Sequence, residues 1–179
     1  MDVPSEAQRR SSRLAIWLII PLTVALVLIL LVFYGLYRTT TVDGESMLPT
    51  LRPEDRVLVT KSYGEPRRGD VVVVNIPDSR GQSHDLVKRV VAVGGDVVSV
   101  AQDVLYVNGQ REGSPDVIVD PSDGANVSEM PIPEGTVFLL GDNRPVSYDS
   151  RFFGPVPVTD VQGKVVAVFA PVTRLSAVR

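Results

Sequence analysis

Twenty-four consecutive residues without a charge, Leu14 to Tyr37 (LAIWLIIPLTVALVLILLVFYGLY), constrain this chain more than any other feature. As a helix the run would extend ~36 Å against a bilayer hydrocarbon core of ~30 Å, long enough to cross with some tilt. Pro21 falls in its first third, where a membrane helix tolerates it as a kink. Trp17 near one end, with Phe33, Tyr34 and Tyr37 at the other, fits an interfacial aromatic belt. A cleaved secretory signal would have an apolar core of about 7 to 15 residues and a small-x-small cleavage site. This run is longer and YGLYRTTTV contains no A-x-A, so an uncleaved transmembrane anchor over 14–37 is expected. Arg9, Arg10 and Arg13 precede the span and Arg38 follows it. That bias predicts a single-pass cell-membrane protein with a cytoplasmic N-terminus over 1–13 and an extracytoplasmic domain over 38–179.

The 179 residues allow one ordinary domain beside the anchor. After Thr39 the pattern is of short valine-rich runs punctuated by turn residues: RVLVTKS, GDVVVVNIP, DLVKRVVAVGGD, VVSV, VLYVNGQRE, GTVFLLGDN and GKVVAVFAP. Such runs, rich in β-branched residues and bounded by Gly, Pro, Asn and Asp, read as strands of antiparallel sheet. Asn108-Gly109 is a strong hairpin signal, because a type I′ turn needs positive φ at both central residues. Gly94-Gly95 reads as a second hairpin. No long segment of helical period follows the anchor, so the fold class expected is mainly β. From Gly109 to Gly135 the chain turns polar and proline-rich, and residues 101–135 read as a small inserted β subdomain on the surface rather than as core.

Several function classes fall away at once. The net charge is −3 and no basic block follows the first 13 residues, so the footprint of a nucleic-acid binder is missing. There is no cysteine and one histidine, His84, which leaves neither a thiolate nucleophile nor a Cys- or His-rich metal site. No cofactor and no metal are expected.

Within VDGESMLPTL, Val42 to Leu51, Ser46 follows a glycine turn. Even fully extended, the nine residues from Tyr37 reach at most ~32 Å, so Ser46 is expected to work close to the bilayer surface. A serine hydroxyl is a weak nucleophile until a base takes its proton. His84 with Asp85 would invite a triad, but chain neighbours in a polar stretch, SRGQSHD, point apart and toward water. The lysines are Lys61, Lys88 and Lys164. Lys61 lies in a polar turn, and Lys164 reads as a surface charge. Lys88 sits in the apolar run LVKRVVAV, where period-2 alternation places it on one face with Leu86, Val90 and Ala92. Bringing a lysine from its reference pKa near 10.4 to ~8 needs ~3 kcal/mol of bias against the charged form. Burial supplies shifts of that size and a solvated loop does not, so Lys88 is the best base. On pattern alone a competing reading stays open, in which one of Lys88 and Arg89 pairs with an acid at a sheet edge.

VDGESMLPTL, RRGDVVVVN, LVKRVVAVGGD and LLGDNRPVSYDSRFFGPV, in this order behind an apolar N-terminal segment, resemble the sequence boxes of bacterial type I signal peptidases. With the anchor they account for roughly half the chain, and S-M-x-P-T, K-R-x-V and G-D-N-R-x-x-S-x-D-S-R form a highly specific combination. The resemblance implies a Ser-Lys serine endopeptidase that removes signal peptides from exported preproteins. It places the nucleophile at Ser46, the general base at Lys88 and a lysine-orienting serine at Ser147. Asp142, Asn143, Asp149 and Arg151 match supporting positions, the last two as an expected ion pair. Some members carry a hydroxyl donor for the oxyanion two residues before the nucleophile; here that position is Gly44, which leaves backbone amides, chiefly that of Ser46. Implied partners are preprotein signal peptides and the lipid bilayer, with the secretion machinery as a further one and nucleic acid excluded. Met47, Leu48, Phe152 and Phe153 are candidates for apolar surface toward the membrane or for core. The competing function is a non-catalytic, membrane-anchored envelope binding domain.

Overall fold

The computed structural model describes residues 6–77, 81–112, 117–120 and 124–178, with side chains from Trp17 onward except Leu18. Residues 1–5 and the charges of Arg9, Arg10 and Arg13, on which the expected orientation rests, lie outside this description. So do 113–116 and 121–123 within the expected insertion. The chain divides into two units, residues 1–36 and 37–179.

The first unit is helix α1, Glu6–Leu36, with Pro21 inside it. Its stretch Ile19–Leu36 has mean hydropathy 2.8 and is nowhere buried by the protein; among the described residues it is the one helix long and apolar enough to cross a membrane. The helix stops at Leu36. Tyr37, expected in the span, instead opens strand β1, Tyr37–Thr41, where three successive threonines favour extended backbone.

The second unit is β, as expected. An eight-stranded sheet takes up β1, β2 (Arg56–Thr60), β3 (Val71–Pro77) and β4 (Ser83–Val93). A four-stranded sheet holds β5 (Val97–Ala101), β6 (Val104–Val107), β7 (Gln110–Arg111) and β8 (Val127–Pro131). The chain then returns to the larger sheet through β9 (Thr136–Leu140), a four-residue helix α2 (Ser150–Phe153), β10 (Val156–Pro157), β11 (Val161–Ala170) and β12 (Ser176–Ala177). The order in the large sheet is β1-β2-β11-β3-β4-β9-β10, with β12 on β11. Its named pairings are antiparallel.

Asn108-Gly109 joins β6 to β7 with positive φ at both residues, the hairpin its sequence calls for. Gly94-Gly95 does not make a hairpin. β4 belongs to the large sheet and β5 to the small one, so this turn hands the chain between sheets. The small sheet begins at Val97, before residue 101, because VVSVA pairs with β6 and β8. Its inner face is core rather than surface: Val98, Val100, Leu105 and Ile132 are buried against Ala92, Phe138 and Leu140 of the large sheet. SHD, the end of the polar stretch expected to face water, is the exposed start of β4.

A second apolar cluster matters more for chemistry. Met47 and Leu51, at 1% and 0% exposure, are buried with Val42, Val57, Val59, Val71 and Val73. Met47 is therefore core, not membrane-facing surface, and the burial of two such side chains, each about 2 kcal/mol, pins the loop that carries Ser46.

Candidate active site

Three segments far apart in sequence build the site. Ser46 sits in the turn after β1, held from below by Met47 and Leu51. Its carbonyl oxygen accepts from Asn143 N–H at 2.9 Å, and Asn143 Nδ2 donates to the Glu45 carbonyl at 3.1 Å. Asn143 thus splints the serine loop to the segment that follows β9. Gly141 is the residue of closest approach: a Cβ there would overlap both the Ser46 carbonyl and Ser147 Oγ.

Lys88 enters from β4. Its side chain is 3% exposed, and Nζ donates to Ser46 Oγ at 2.7 Å. Among the described residues no carboxylate lies within ion-pair distance of it. Burial pushes the ammonium down to about 8; Asp149 and Asp142 pull the other way without restoring it, and Arg151 adds to the depression. The alternation expected along β4 holds only in part. Leu86 and Val90 share one apolar cluster, whereas Ala92 joins another, because the register against β9 shifts between Val90 and Ala92.

The acid pairing that competed for Lys88 goes to its neighbour. Arg89 Nε and Nη2 donate to the two oxygens of Asp142 at 2.8 and 2.7 Å, and Thr50 Oγ1 donates to the same carboxylate at 2.6 Å. Behind this lies a second buried network. Asp149 caps α2 and accepts from Arg151 Nε at 2.8 Å and from Gly141 N–H at 3.0 Å. Arg151 also pairs with Asp103 and donates to the carbonyls of Arg144 and Ser147, clamping the turn 144–147. Sequence reasoning missed Asp103, Thr50 and Arg144. Arg144, 2% exposed, donates to the Gly141 carbonyl at 2.9 Å and pairs with Glu112 at 2.5 Å. Thr50 and Arg144 stand inside the S-M-x-P-T and G-D-N-R motifs, the signal that could have found them, whereas no local pattern marks Asp103, whose partner Arg151 lies 48 positions away.

Two expectations need correction. Ser147 is buried beside Gly141, yet among the described residues its Oγ has no hydrogen-bond partner, so the bond expected to Lys88 is not made. Lys164 is not a free surface charge: it pairs with Asp70 at 2.5 Å. Gly44 stands exposed at φ +85°, with open space around the place a Cβ would take. A serine hydroxyl there is opposed by backbone conformation, not by crowding.

Beside the dyad runs a cleft of about 300 Å³ lined by Thr40, Thr41, Asp43, Ser46, Asp85 and Lys88 among others. Among the described residues, both walls are strand edges with no further strand paired on the cleft side. β1 ends the large sheet, and the first half of β4 pairs with β3 alone, its pairing with β9 starting at Arg89. Such edges expose N–H and C=O groups ready to bind an extended chain.

Comparison with known proteins gives a consistent set. Residues 14–170 match the family described as signal peptidase, peptidase S26. Signal peptidase IB of Staphylococcus aureus (strain COL) is 37% identical, with 86% of this chain and 88% of that protein covered. The probable signal peptidase I-1 of Synechocystis sp. is 34% identical over 86% of this chain and 81% of its own length. A signal peptidase I crystal structure from Enterococcus faecalis V583 matches with TM-score 0.47 at 29% identity, covering 57% of this chain and 98% of that one.

Proposed function

The chain belongs to the signal peptidase family, peptidase S26, and on that premise we propose that Ser46 and Lys88 are the catalytic dyad with which it cuts signal peptides from exported preproteins. It is a signal peptidase and thus a serine peptidase, which sets aside the competing reading as a non-catalytic envelope domain. One observation carries the dyad: an amine 2.7 Å from a serine hydroxyl, buried, with its pKa lowered to about 8.

In the working form Lys88 is neutral, and the Ser46 O–H donates to its lone pair. As Ser46 Oγ attacks the scissile carbonyl, the proton passes to Nζ and a tetrahedral oxyanion forms. Collapse breaks the C–N bond, the Lys88 ammonium gives the proton to the leaving amine, and the signal peptide is left as an ester on Ser46. Water, deprotonated by Lys88, then hydrolyses the ester. The oxyanion falls to the backbone N–H of Ser46, since Gly44 carries no side-chain donor. Asp142, Asn143, Asp149 and Arg151 hold the loops in place, and Ser147 positions the amine once substrate has tightened the site.

The substrate lies extended in the cleft, its backbone pairing with the free edges of β1 and β4. Small side chains such as Ala at the first and third positions before the cut suit pockets this close to the walls. α1 serves as the membrane anchor, with the N-terminus cytoplasmic, the β unit extracytoplasmic and the secretion machinery delivering the substrate; the arginines before the span support that orientation. The test is to incubate the purified full chain in detergent with a secretory precursor and map the cut by mass spectrometry, beside Ser46→Ala and Lys88→Ala. Cleavage that persists in either variant removes the dyad.

A further inference from the structure

The cleft is tied at both ends. At one end Lys88 meets Ser46; toward the other the wall is formed by Asp85 of β4, and Arg38 of β1 stands behind it, Nη1 lying 3.6 Å from Oδ2. Arg38 is braced by Gln162 of β11, whose Oε1 accepts from Nη1 at 2.5 Å. Asp85 is shared, its other oxygen accepting from Asn75 Nδ2 at 2.9 Å. Among the described residues, no acceptor meets Arg38 Nε or Nη2, both of which are buried. The guanidinium therefore carries more donors than its protein partners use, and a buried donor left unpaired is costly. The chemistry missing there is an acceptor oxygen, most effectively an anionic one.

Position along the cleft says which part of a substrate supplies it. Lys88 and Asp85 are three residues apart on β4, about 10 Å at the rise of a strand. An extended chain advances at the same rate, so on a substrate path running parallel to β4, with the first residue before the cut beside Lys88, the fourth comes level with Asp85 and the Arg38 guanidinium behind it. We propose that Arg38 is a substrate-contacting specificity residue, which favours an acidic over a basic side chain at the fourth or fifth position before the cut. The inference rests on the substrate path given above.

Precursor peptides carrying Glu, Gln or Lys at the fourth and, separately, the fifth position before the cut test it against the full chain in detergent micelles. At the better of the two positions kcat/KM should favour Glu over Lys by about fivefold, the scale of a partly screened ion pair gained against a repulsion avoided. Arg38→Gln should bring the ratio close to one and Arg38→Lys should retain most of it. Asp85→Asn, which removes the competing carboxylate, should raise it. A wild-type ratio at or below one overturns the proposal, and so does a ratio that Arg38→Gln leaves unchanged. A general loss of fit would slow all three peptides alike and leave the ratio standing. Cleavage surviving Ser46→Ala would instead overturn the site itself, so the two failures are distinguishable.

Discussion

The two neighbours on β4 at the site treat positive charge in opposite ways. Arg89 is matched: two guanidinium nitrogens meet both oxygens of Asp142, and beyond it Arg151 meets Asp149 and Asp103. Lys88 is buried more deeply than Arg89, yet its near partner is a neutral hydroxyl. The matched arginines form a rigid frame, since a planar fork satisfies a carboxylate and stays charged. The unmatched lysine is held where its charged form is penalised, which makes it a base.

The sharpest way to break this contrast is to remove the base. Lys88→Ala or Ser46→Ala should lower kcat/KM for a precursor peptide by at least about 10³-fold while the circular dichroism of the β unit is unchanged, because neither side chain belongs to the frame. Arg151→Met should do the reverse in kind. It leaves Asp149 and Asp103 buried without their cation, and thermal unfolding of the full chain in detergent should report a loss of about 3–5 kcal/mol.

Lys88→Met separates the two roles further. The folded-state pKa is lowered from 10.5 to about 8, so below pH 8 the native state bears the full cost of a buried charge, and that cost fades as pH rises from 8 to 10.5. The substitution should therefore stabilise the protein by about 3 kcal/mol at pH 7, with the gain vanishing near pH 10.5. A loss of stability at pH 7 would make Lys88 a structural cation like Arg89. The same depression predicts that kcat/KM climbs about tenfold between pH 7 and 9, as the neutral amine goes from a tenth to nine tenths of the population. A flat profile over that range would place the base elsewhere. Smallest is Ser147→Ala: it removes a buried hydroxyl that has no partner, so stability should hold or rise by up to about 1 kcal/mol. If Ser147 positions the amine, kcat should nonetheless fall by roughly fivefold with KM unchanged.

Much of the fold was legible because the patterns that write it are local. An uncharged run of bilayer length, valine runs of strand length and an Asn-Gly turn each act within a few residues. The misreadings came where pairing at a distance takes over. Gly94-Gly95 has the chemistry of a hairpin turn, but whether its flanking strands pair with each other depends on better partners elsewhere, β9 for β4 and β6 for β5. Met47 looks the same to a sequence pattern whether it faces lipid or core, and only the valines of β2 and β3 closing over it decide.

Of the site, the residues themselves determined which groups were available: a serine in a constrained turn, a lysine in an apolar run, no cysteine, and a glycine where a hydroxyl donor would stand. They also carried the family resemblance. What only the tertiary structure decided is which cation is matched and which is left to act. Lys88 and Arg89 are adjacent and both basic, and nothing in LVKRVVAV says which will meet a carboxylate. Asp142 lies 53 positions from Arg89, and Ser46 lies 42 from Lys88. Side-chain pKa values answer to burial and to charges a few ångströms away, and the folded sheet, not chain order, sets those distances.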